Sequence, residues 1–211
     1  MKKTFLMTIT LLSIVALGAC SEKNADHNNG QKQSALTKNP VSSNSMEVKN
    51  GILKKVGQWT IDDTLGKVKL LKITEKPKNI EITNGLSTTI KNVKLLHASD
   101  IKELNNALLH TDQKSGNYIQ ITASVTNDTD IEYGGIYPEV IVLSDGTQIR
   151  HNHSFNSETD VKPHAKVDEM LFFYFIGEKE TDSLKLYYDS IYDNEGNGIG
   201  DIKAEETILF N

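Results

Sequence analysis

Cysteine is nearly absent from this 211-residue chain, with a single copy at Cys20. No intrachain disulfide can form, so the fold must be held by its core alone. Positive charge is in deficit too: 23 Lys and Arg stand against 28 Asp and Glu, for a net charge of −5. That balance argues against nucleic acid as a partner and against a polybasic grip on anionic lipid. No apolar run reaches the about 20 residues that a spanning helix needs. Internal repeats are missing, and so are Gly-x-Ser-x-Gly, His-Glu-x-x-His, a Walker loop and a dinucleotide fingerprint. The expectation is a chain without catalytic residues and without a cofactor.

What is present begins at the N-terminus. Lys2 and Lys3 precede an apolar stretch from Phe5 to Leu17, broken only by Thr8, Thr10 and Ser13, and small residues Gly18 and Ala19 lead into Cys20. This is the three-part plan of a secretory signal. Leu17-Gly18-Ala19-Cys20 also resembles the bacterial lipobox. The resemblance implies that the Cys20 thiol receives a diacylglyceryl group and that residues 1–19 are a signal peptide removed by cleavage. The implied partner is then a membrane, and the implied location is its extracytoplasmic face. Two acyl chains hold lastingly, at about 0.8 kcal/mol per buried methylene. Loss of Lys2 and Lys3, with no acid, moves the net charge from −5 to −7.

From Ser21 to Asn50 the chain is rich in Ser, Asn, Lys and Gln, with Gly30 and Pro40 as breakers. Such a composition buries too little surface to offset its ordering entropy, so residues 20–50 read as a lipidated cysteine and a flexible linker. Residues 51–211 are long enough for one domain with a real core. Its signals are those of strands. Tyr118 to Val125 alternates strictly, which predicts a strand with one buried and one wet face. Glu139–Ser144 and Thr147–His153 flank Asp145-Gly146, a hairpin signal. Met170 to Ile176 is apolar on both faces, as a central strand would be. Leu184–Tyr188, Thr207–Phe210, Val68–Thr74, Ile80–Thr83 and Ile90–Leu96 read as further strands. One short helix is expected after Ser99 as its cap, with Ile101, Leu104 and Leu108 on one face. The sum is mainly β: an antiparallel β-sandwich with one short helix.

The order of pieces from Tyr118 onward carries a second resemblance. Val125-Thr126-Asn127 ends the alternating strand, and Leu143-Ser144-Asp145-Gly146 makes the turn. Pro163-His164, Phe172 to Phe175 and Leu184-Lys185-Leu186-Tyr187-Tyr188 follow. This resembles the telokin-like, immunoglobulin-like domains of surface lipoproteins from low-GC Gram-positive bacteria, although His164 stands where glycine is usual. The resemblance implies an immunoglobulin-like core over residues 118–211, with 51–117 as an N-terminal extension, and implies no catalytic residue.

Three groups of residues invite chemistry. Asp193, Glu195 and Asn197 supply oxygens at alternating positions, with Gly198 sixth and Asp201 ninth, as at the start of a calcium loop. The twelfth place holds Ala204, however, and a Gly/Asn-rich turn accounts for the same residues. His151 and His153 lie two apart on a predicted strand and so share a face, where zinc or copper would suit them, with His164, Glu158 and Asp160 as further donors. A solvated strand edge explains them equally. Ser99-Asp100-Ile101-Lys102 spells the Ser-x-x-Lys of penicillin-recognising enzymes, but Ser115-Gly116-Asn117 and Lys114-Ser115-Gly116 overlap and cannot fill both later boxes. The expected function is a membrane-anchored, non-catalytic binding or scaffolding module of the cell envelope, with an envelope protein or wall component as partner. The alternative is a lipoprotein that binds a small ligand or calcium.

Overall fold

A computed structural model describes residues 46–49, 51–102, 111–150, 160–189, 191–199 and 204–210. Twelve strands occur among them: β1 (Trp59–Asp62), β2 (Gly66–Thr74), β3 (Lys78–Thr83), β4 (Leu86–Ser99), β5 (Ser115–Asn127), β6 (Tyr133–Gly134), β7 (Val140–Leu143), β8 (Gln148–Arg150), β9 (Ala165–Gly177), β10 (Ser183–Tyr188), β11 (Tyr192–Asp193) and β12 (Ala204–Leu209). One sheet runs β1-β2-β4-β5-β9, with β3 also paired to β4; a second runs β12-β10-β7-β8; and β11 pairs with β6. Every strand pair is antiparallel. Reading β4, β5 and β9 as strands A, B and E, and β7, β8, β10 and β12 as C, C′, F and G, gives the immunoglobulin-like order of a sandwich.

The inner faces of the two sheets meet in one core. Val93 and Leu95 of β4 and Ile119, Ile121 and Ala123 of β5 pack with Phe172 and Tyr174 of β9. Ile141, Leu184, Leu186 and Tyr188 close it from the other sheet. These positions alternate along their strands because side-chain direction has period two. Burying each large apolar side chain contributes roughly 1.5–3 kcal/mol.

A second, smaller core lies on the outer face of the larger sheet. Val68, Leu70, Leu96, Ala98 and Tyr118 gather there under Leu53. Residues 46–49, within the stretch expected as linker, dock beside it: Val48 N donates to Trp59 O at 2.8 Å, and Trp59 N donates to Met46 O at 2.9 Å.

This second core corrects two expectations. The outer face of β5 is not wet: Tyr118, Thr122 and Ser124 are all buried. Because β5 lies between β4 and β9, neighbouring side chains cover it from both sides. Nor is β9 central. It is paired with β5 alone among the described residues, and only alternate positions (Met170, Phe172, Tyr174, Ile176) are buried. Its other apolar residues, Phe173 and Phe175, are half-buried against the small core, which explains the two-faced pattern.

No helix occurs among the described residues. The expected helix falls mostly on 103–108, outside them, and Ser99 is the last residue of β4, its Oγ donating to Lys67 O at 3.4 Å. No helix of the described residues is long and apolar enough to cross a membrane.

Candidate functional site

Cys20, His151, His153 and Asp201 lie outside the described residues, as does Glu158. Asp193, Glu195 and Asn197 are brought together on the turn after β11, but by bonds to one another. Asp193 Oδ1 accepts from Glu195 N at 2.9 Å and from Asn197 N at 2.8 Å, and its Oδ2 accepts from Asn197 Nδ2 at 3.1 Å. The Asn197 side-chain and backbone N–H groups hold the carboxyl below the usual carboxylate range. Gly196, at φ 82°, completes a tight turn closed by Gly196 N donating to Asp193 O. Such an Asx-type turn accounts locally for both oxygens of Asp193. Asp160 sits in the same cleft, beside Gly134 and Tyr192. His164 is elsewhere, its Nε2 2.8 Å from Asp130 Oδ1 on the exposed turn before β9. Ser99 and Ser115 face each other across β4 and β5. Among the described residues no three His, Cys, Asp or Glu side chains converge as metal ligands would.

The site that the sequence did not announce is on the outer face of the larger sheet. A pocket of about 190 Å³, open on one side, is walled by Leu53, Leu65, Val68 and Leu96. Its polar lining comes from Thr60, Asp62, Lys94, Tyr118 and Gln120. The register builds it. Lys94 lies opposite Gln120 on β5 and Ile73 on β2, while Leu96 lies opposite Tyr118. A bulge between Leu70 and Lys72 shifts the phase of β2, so that Leu70 and Ile73 both join the outer core while Leu71 turns to the inner one. Bulges re-aim side chains in this way and are frequent beside binding sites. The Asp62 carboxylate anchors the β1–β2 turn, Oδ1 accepting from Thr64 N and Leu65 N at 2.8 Å each.

Two donors line this pocket. Lys94 is only 7% exposed and Tyr118 3%, but the Lys94 Nζ and the Tyr118 hydroxyl themselves keep contact with solvent through the open side. Burial pulls the Lys94 ammonium below the usual lysine range, against the raising effect of Glu75. Burial, with Asp62 nearby, holds the Tyr118 phenol well above its usual range, so it stays a neutral donor. The one signal that could have pointed here is the lysine inside Val93-Lys94-Leu95-Leu96, a charge in the middle of an apolar run. Its burial depends on residues 51–53 folding over the sheet, which no local pattern reveals.

Comparison with known proteins bears on the fold. No family model and no curated protein matches the chain. A crystal structure of a functionally unknown protein from Listeria monocytogenes EGD-e is similar in fold, with a TM-score of 0.50. The match covers 71% of this chain and 90% of that one at 9% sequence identity. At that identity the likeness is one of fold.

Proposed function

We propose that this chain is a membrane-anchored extracytoplasmic lipoprotein whose sandwich domain is a non-catalytic module that binds or scaffolds another envelope component. The observation that carries the reading is the sole cysteine, Cys20, placed after a positively charged start, an apolar stretch and two small residues. A thiol there is the acceptor that a lipid-transfer step requires, and a chain so attached needs no spanning helix. The polar stretch that follows spaces the sandwich from the bilayer.

The finer family reading, a telokin-like domain of the surface-lipoprotein kind, is supported by where its motifs fall. Val125-Thr126-Asn127 ends β5, Asp145-Gly146 joins β7 to β8, Pro163-His164 precedes β9, the aromatic run lies on β9, and Leu184 to Tyr188 is β10. His164 takes φ 53°, the left-handed conformation in which glycine is the usual residue.

Cross-linking in living cells tests the reading, with the tagged wild type compared against Cys20→Ala. A defined envelope protein or wall component captured only by the anchored form is expected; turnover of a wall polymer or peptide by the purified chain contradicts it. The calcium alternative stands on the Asp193–Asp201 segment, and melting unchanged by calcium or chelator removes it.

A further inference from the structure

Asparagine is followed by glycine at four places in the sequence: Asn29-Gly30, Asn50-Gly51, Asn84-Gly85 and Asn197-Gly198. Such a pair carries its own chemistry. The glycine nitrogen, with no Cβ on its residue to crowd it, can meet the amide carbon of the side chain before it. Asn29, Gly30 and Asn50 lie outside the described residues. The other two pairs sit in turns, and the fold treats them differently.

At Asn197 the amide is tied down. Its Nδ2 donates to Asp193 Oδ2 at 3.1 Å and to Glu195 Oε2 at 3.4 Å, while its backbone N donates to Asp193 Oδ1 at 2.8 Å. The side chain must leave both carboxylates before its carbon can meet Gly198 N.

Nothing of the kind restrains Asn84. It is exposed on the turn between β3 and β4, and its amide makes no hydrogen bond among the described residues. Gly85 N donates no backbone bond there either. The rest of Gly85 is held: its carbonyl accepts from Asp128 N at 2.7 Å, and a Cβ on it would lie 2.8 Å from Thr129 Cγ2. A fixed, unengaged nitrogen therefore stands next to an amide that can turn onto it.

We propose that Asn84-Gly85 is a site of spontaneous modification, where the Asn84 amide becomes a carboxylate with water as the only co-reactant, and that this loosens the β3–β4 turn. Gly85 N loses its proton and attacks Asn84 Cγ. The new C–N bond closes a succinimide ring, the Cγ–Nδ2 bond breaks, and ammonia leaves with that proton. Water then opens the ring at either carbonyl, giving aspartate at position 84 or its isoaspartyl isomer. The isomer adds a methylene to the backbone of a turn that is fixed on both sides, with Thr83 opposite Leu86 and Leu86 opposite Asn127. The longer chain strains that register and the bond from Asp128 N to Gly85 O. The site needs neither the lipid anchor nor a partner, so it stands apart from the reading above.

The test is peptide mapping by mass spectrometry of the full chain, aged in mildly alkaline buffer. Conversion of amide to acid is expected to be several-fold faster at Asn84 than at Asn197. In denaturant, where neither turn exists, the two pairs should convert at nearly equal rates, because both are followed by glycine. Asn84→Gln keeps an amide but must close a larger ring, so conversion at this position should be lost while Asn197 is unchanged. On ageing, the wild type should also lose more melting temperature than Asn84→Gln. Conversion at Asn197 as fast as at Asn84 in the folded chain, no conversion at Asn84, the same preference for Asn84 in denaturant, or an equal loss of melting temperature in both chains overturns the proposal.

Discussion

Two tyrosines in the main core differ by one hydrogen bond. Tyr174 and Tyr188 are both fully buried, but the Tyr174 hydroxyl donates to the Pro138 carbonyl while that of Tyr188 makes no well-formed hydrogen bond, with the Thr88 side chain as its polar neighbour. Removing a satisfied hydroxyl loses its bond and orphans the acceptor, whereas removing an unsatisfied one relieves a desolvation penalty. Tyr174→Phe should therefore destabilise by about 1–2 kcal/mol, and Tyr188→Phe should be neutral or stabilising, by denaturant melts of both variants. Asn127 is the opposite extreme, a fully buried amide with every group engaged. Its Nδ2 donates to Ile131 O, Val161 O and Lys162 O at 2.8, 3.2 and 3.0 Å, and its Oδ1 accepts from Thr129 N and Oγ1. It fixes the turn after β5 to the segment leading into β9. Asn127→Ala takes one donor from each of those carbonyls, which keep Thr129 Oγ1, Tyr133 N and Ala165 N, and leaves Thr129 N without its acceptor, so it should cost about 1–3 kcal/mol in the same melts. The asparagine of the Val-x-Asn motif was legible in the sequence as the end of a strand. Its role as a hub was not, because its acceptors at 161 and 162 are more than thirty positions away.

Among the elements, the hairpins separate what local pattern reveals from what it hides. Asp145-Gly146 was readable as a turn, since few residues besides glycine accept φ 84° without strain. A Cβ at Gly146 would meet nothing within 4 Å. Gly66, the first residue of β2, shares the left-handed conformation at φ 68°, but a Cβ there would lie 2.0 Å from the Ser99 carbonyl oxygen. Gly146→Ala should thus cost about 1 kcal/mol from conformation alone, and Gly66→Ala distinctly more, since the β2–β4 backbone must shift. Equal melting losses in the two variants would contradict this account of the β1–β2 turn. Strand β1 itself escaped the sequence reading: Trp59–Asp62 is short, and its pairing with β2 rests on that glycine. The strands β4, β5, β7, β9 and β10 were legible because alternation or an apolar run marks them. Their order in the sheets was not, because register is set by cross-strand pairing and not by local period. The pocket belongs to the hidden part for the same reason: Lys94, Tyr118 and residues 51–53 meet only through tertiary packing.

Among the described residues charge lies on the surface, with Lys94 the buried exception, and two apolar cores hold the fold without a disulfide. Three exposed aspartates have carboxyls held below their usual range: Asp145 by hydrogen bonds from Lys179 and Thr147, Asp168 by Lys166, and Asp193 by Asn197. A depressed carboxyl contributes stability above its unfolded value and loses it as pH falls through the folded one. Melting temperature should therefore be level near neutrality and fall once pH drops below about 4. Because all three groups are solvent-exposed, high salt should flatten much of the part due to their ion pairs. The sequence carries no excess of positive charge, so the proposed attachment to a membrane rests on a covalent group at Cys20 and not on electrostatics. Intact-mass and peptide analysis of the chain recovered from cell membranes tests that directly. The account predicts a mature N-terminus at Cys20 carrying a diacylglyceryl group, with Cys20→Ala lost from the membrane fraction. A free Cys20 thiol in membrane-bound protein, or a Cys20→Ala chain still held there, would contradict it.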